Sequence, residues 1–181
     1  AARTEGDVGE ELHSMDYLVY AYLQGGQVGA AQAVVNDMLV VAIEDAARTL
    51  PADYALAAAP ARFALEQRRW ADANALAPRA SRFPATQALT HYARAIGAAH
   101  TATPAEVAKE VQSLAQIRDA LLQSKQDYWA KQVEVQRRTA EAWLARASGD
   151  TPRAIELMHS VVDLEESTYK HPITPGQLLP A

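Results

Sequence analysis

Apolar residues return every three or four positions along most of this chain, and the stripes break at short turn-like stretches. Leu12, Met15, Leu18, Val19 and Tyr22 form the first stripe and predict a helix over 10–24. Gly25 and Gly26 end it, and Val28, Ala31, Val34, Val35, Met38 and Leu39 start a second stripe almost at once. So short a connection predicts an antiparallel pair. The Val-rich stretch 38–43 has strand propensity, but the helical period from Ala31 runs into it and favours helix. A third helix is predicted over 51–68, with Pro51 in its first turn and Pro60 in its interior. A short fourth follows over 70–77, and then a loop over 79–84. Leu89, Tyr92, Ala93 and Ile96 mark a fifth helix over 84–99. Thr103, Pro104 and Glu106 have the spacing of a capping box opening a sixth, which continues to about Lys125. Trp129, Val133, Gln136, Ala140, Trp143, Leu144 and Ala147 place a seventh over 127–148, closed by Gly149. Thr151-Pro152 opens an eighth that reaches about Thr168. The pattern therefore predicts an all-α chain of about four antiparallel helix pairs, with no strand.

Composition agrees with this. Roughly a fifth of the residues are alanine, the strongest intrinsic helix former. The formal charge of −5 and the lack of a basic run exclude a phosphate-neutralising groove, so no nucleic-acid partner is expected. With no cysteine, disulfides, thiolate nucleophiles and zinc–thiolate sites are ruled out. No apolar run has the length of a membrane span. The chain does not begin with Met, and Thr174-Pro175 has the form of a cap and first helical residue, so it reads as a piece of a longer protein. On this reading residues 1–9 are a flexible leading segment and 10–169 are the helical-hairpin domain. Residues 170–181 are an extended, proline-rich tail that either lies across the domain or leads into a further repeat, the second being favoured.

Three predicted hinges share one pattern. Tyr22–Gly26–Ala31, Ala64–Arg68–Ala73 and Ala145–Gly149–Ala154 each place a turn residue four after one apolar position and five before a small alanine. This arrangement resembles the tetratricopeptide repeat, in which a turn glycine allows the reversal and an alanine lets the second helix approach the first. The match covers most of 10–169. It departs from the family where Ala31 and Ala73 lie further apart than the usual repeat of about 34 residues. It departs again at 97–103, where the glycine-to-alanine spacing is missing. The stretches 13–23, 127–130 and 170–176 also resemble a group of uncharacterised bacterial tetratricopeptide proteins, which implies a bacterial chain of degenerate repeats. Cytoplasm and periplasm are both compatible with it.

The resemblance implies an α-α superhelix whose first helices line a concave, ligand-binding side. Carried onto this sequence, it places His13, Asp16, Tyr20 and Gln24 there, then Arg62 and Glu66, then Gln87, Thr90 and Arg94, and finally Trp143. It would also turn Arg138 and Glu141 inward. Tyr20 and Trp143 can equally be read as packing residues, as are Trp70 and Trp129. The expected role is a scaffold that binds a protein or peptide segment. The alternatives are a self-association module forming a homodimer, or a groove site for metal or catalysis. For the last, Glu10–His13 and Glu156–His159 have the Glu-x-x-His spacing that puts both ligands on one helical face. They stand at opposite ends of the chain, and solvated helix faces explain them more simply. No serine lies in a nucleophile elbow and no phosphate loop is present. No catalytic residue, metal or cofactor is therefore assigned.

Overall fold

A computed structural model describes residues 8–40 and 49–180. Among these, the chain forms eight helices and no strand. They are α1 (Val8–Gln24), α2 (Val28–Met38), α3 (Leu50–Glu66), α4 (Trp70–Ala75), α5 (Pro84–Thr101), α6 (Pro104–Gln123), α7 (Asp127–Ala147) and α8 (Thr151–Glu166). Sequence neighbours pack as hairpins, and the odd helices also pack in a row, α1 on α3, α3 on α5 and α5 on α7. The terminal helices α1 and α8 share no extensive contact, so the stack is open and not a closed bundle. This is the all-α, helical-repeat arrangement that the periodicity predicts.

The three matched hinges share one backbone geometry. Gly26, Arg68 and Gly149 are left-handed, at φ 68°, 53° and 87°. The next N–H donates back to a carbonyl five residues earlier: Gln27 to Tyr22 at 2.8 Å, Arg69 to Ala64 at 2.8 Å, and Asp150 to Ala145 at 2.9 Å. The alanines that follow, Ala31, Ala73 and Ala154, are buried against the preceding helix. Arg68 carries a side chain in a conformation that costs about 1–2 kcal/mol for an L residue. Arg68→Gly is expected to stabilise the fold by about 0.5–1 kcal/mol after the extra chain entropy of glycine, read by urea unfolding.

Helix α3 explains how two apolar clusters become continuous. One side of it (Ala52, Ala55, Ala59, Phe63) packs with α1 and α2. The other (Tyr54, Ala58, Ala61, Leu65) packs with α4 to α7. Small alanines on both sides let neighbours close on it, as expected for a helix that is apolar all round. The helix runs through Pro60.

Several local expectations change. Helix α2 stops at Met38, and Leu39 and Val40 turn into solvent; 41–48 lie outside the described residues. Thr103 makes no side-chain cap, so the capping box does not form. Gly97, read as the start of a turn, lies inside α5. A Cβ there would fall 2.6 Å from the Trp70 carbonyl and 2.5 Å from the Asn74 nitrogen. Its missing side chain is what brings the backbone of α4 against α5. Thr174 and Pro175 do not open a helix, and 167–180 run as turns and bends. The Thr174 hydroxyl instead donates to the Gly176 carbonyl at 2.7 Å.

Candidate functional site

The tail lies across the row of odd helices. Ile173 and Leu178 are buried in the larger core cluster. Tyr17 on α1 donates to the Pro172 carbonyl at 2.7 Å, with the Thr174 carbonyl 3.2 Å away. Arg62 on α3 donates through both terminal nitrogens, to Gln177 at 2.9 Å and Gly176 at 3.2 Å. On α7, Tyr128 donates to the Tyr169 carbonyl at 2.9 Å and Lys131 to Ser167 at 3.0 Å. Of the two tail placements that the sequence allows, the one across the helices is observed.

Six of the sequence-selected residues gather on α1 and α3. Arg62 and Asp16 are both fully buried, with Arg62 Nε 3.7 Å from Asp16 Oδ1. At that distance neither oxygen of Asp16 has a hydrogen-bond partner in the protein. The Arg62 guanidinium also lies 5.4 Å from the centre of the Tyr20 ring. Gln24 donates to Glu66 at 3.2 Å, and Tyr20, Gln24 and Glu66 form a cleft with tail residues Gly176 to Pro180. His13 stands edge-on to Tyr17 at 5.2 Å. Burial raises the Glu66 carboxyl, opposed by the Arg62 charge.

Burial likewise raises Asp16, to about 6, against the pull of Arg62. A carboxyl whose folded pKa exceeds its unfolded 3.8 contributes stability that is complete below pH 3.8 and lost as pH rises through 6. Glu134 and Glu110 work in the opposite sense. Glu134 is held at about 2 by Arg137, Arg138 and Arg118 despite partial burial, and Glu110 is lowered by His91 and Arg94. Comparison with Asp16→Asn isolates the Asp16 contribution. Between pH 4 and 7 the native chain is expected to lose about 2 kcal/mol relative to that variant, measured by urea unfolding at each pH.

The other selected residues serve local structure. Gln87 donates to the Ser81 carbonyl at 2.9 Å, and Thr90 is buried. Arg94 turns to the α5–α6 hairpin, bonding Glu110 at 2.8 Å and the Leu76 carbonyl at 2.9 Å. Trp143 is half-buried against His100, which also meets Trp70. Arg138 and Glu141 pair along α7, with Glu134 and Arg137 respectively. Glu156 pairs with Arg153, and among the described residues no cluster of three His, Asp or Glu could hold a metal ion.

Sequence reasoning missed the aromatic seat for the tail. Tyr54, Tyr128 and Trp129 surround His171, whose ring centre lies 5.0 Å from that of Trp129. Burial, aided by the Lys170 charge, holds His171 below the usual histidine range. The adjacent pair Tyr128-Trp129 was the available signal, because two aromatics opening a helix exceed what one packing position needs. No helix among the described residues is long and apolar enough to cross a membrane. No family model, curated protein or solved structure matches the chain.

Proposed function

We propose that this chain is a tetratricopeptide-like binding module whose face of odd helices receives an extended polypeptide segment. One observation carries the reading: a non-helical segment of the chain itself, running as turns and bends, occupies that face, held through its backbone carbonyls. Donors aimed at carbonyls, with pockets for alternating apolar side chains, are the usual means of recognising extended peptides. The tetratricopeptide pattern at Gly26, Arg68 and Gly149 supports the same role, and so does the gathering of Asp16, Tyr20, Gln24, Arg62 and Glu66 beside the tail. The test is selection of peptides from a displayed random library against the intact chain. Enriched peptides are expected to weaken at least tenfold on Tyr17→Phe, which removes a carbonyl donor, or Arg62→Lys, which replaces the two-pronged guanidinium by a single point donor. Peptides unaffected by either change would refute the reading.

Self-association is the second reading, favoured by exposed Ile155 beside Met158, Trp143 and Ala142 at the α7–α8 end. Light scattering during size exclusion separates the two: a dimer disrupted by Ile155→Asp would support it, and a monomer would remove it.

A further inference from the structure

The tail's contacts divide into two kinds. Five of its carbonyls, those of Tyr169, Pro172, Thr174, Gly176 and Gln177, lie within hydrogen-bond reach of donors on the odd helices. A donor that meets a carbonyl accepts almost any residue at that position. Ile173, Thr174 and Leu178 are its buried side chains, 8%, 8% and 4% exposed, and the two aliphatic ones lie five positions apart. Between them, Pro175 and Gly176 keep the backbone from becoming helical.

The fit is incomplete beneath this stretch. A cavity of about 20 Å³ is walled by Tyr54, Trp129, Gln132, Gln136, Thr174 and Gln177, room for about one water. Gln132 Nε2 and Gln136 Oε1 are buried there without a protein hydrogen-bond partner. Buried polar atoms left unpaired weaken the complex that leaves them so. Thr174 donates its hydroxyl to the Gly176 carbonyl, so a segment with a longer hydrogen-bonding side chain at that place would pair them and hold the face more tightly than the tail does.

We infer that residues 169–180 are an exchangeable resident ligand, and that the face takes a partner protein's non-helical segment with two aliphatic residues five apart around a Pro-Gly turn, displacing the tail. This rests on the reading of the face as a peptide site. It adds the partner's chemistry and the competition built into the chain.

The probe is a fluorescein-labelled peptide of the sequence 171–180, titrated into the intact chain by anisotropy. Binding to the native chain is expected to be weak, because the tethered tail competes at an effective concentration of the order of millimolar. In the full-length Leu178→Asp variant, binding should tighten at least tenfold. A peptide with aspartate in place of both aliphatic residues should not compete. A measurement on the unaltered chain guards against misfolding of the variant: the amides of Ile173, Thr174 and Gly176 should exchange faster than the core of α3. Equal affinity for the native chain and a helical Leu178→Asp variant overturns the inference. So does loss of helical signal in that variant, or tail amides protected as well as α3. If library peptides bind through Tyr17 and Arg62 but the tail peptide does not, exchange fails and the peptide-site reading stands. If neither binds, both fail.

Discussion

At pH 8, where the Asp16 carboxyl is ionised in the native fold, Arg62→Ala is expected to lower the stability of the fold by about 3–5 kcal/mol, the usual cost of removing one partner from a buried ion pair. Both members of this pair are fully buried. Loss of the guanidinium would leave the Asp16 carboxylate in an apolar setting without a counter-charge, and the Gly176 and Gln177 carbonyls without their donors. For a chain of this size the shift in melting temperature is roughly 10 °C. The double variant Asp16→Leu, Arg62→Leu checks the cause. Replacing a buried pair by apolar groups of similar volume is often neutral or better, so it should recover most of the loss that comes from the stranded charge. What remains measures the tail contacts. A double variant as unstable as Arg62→Ala would mean that packing, not the stranded carboxylate, dominates.

Gly97→Ala is the second large effect, expected to cost about 2–3 kcal/mol by urea unfolding. In an open helix this change gains up to about 1 kcal/mol. Here the new Cβ meets backbone on α4, the Trp70 carbonyl and Asn74 nitrogen, which cannot rotate away. Overpacking of this kind costs about 1–3 kcal/mol, sometimes more. Gly29→Ala is the control: that position in α2 faces open space, so the same substitution should be neutral or stabilising. If both variants behave alike, the close approach of α4 and α5 is not what holds them together.

The architecture was legible in the sequence because its causes are local. Helical period, prolines at first turns and a turn residue five before a small alanine depend on near neighbours, and even Arg68, without glycine, was found at its hinge. The tail's position depends on contacts more than a hundred residues away in sequence, such as Tyr17 with Pro172 and Arg62 with Gln177. Nothing in 170–180 repeats with a period that would declare a buried side. The site was therefore half-visible. The α1 and α3 residues followed from the hinge register, while Tyr128 and Lys131, whose partners come from the tail, did not. Arg94 left the predicted set for a related reason. Helix α5 is enclosed on most sides, so its long cation reaches the nearest acceptors, Glu110 and the end of α4.

The same dozen residues touch Tyr17 on the first helix of the row and Tyr128 on the seventh. A stack of hairpins joined only neighbour to neighbour bends like a coil spring. A strap fastened near both ends fixes how far that spring can open, so unfastening it would lengthen the molecule without melting a single helix.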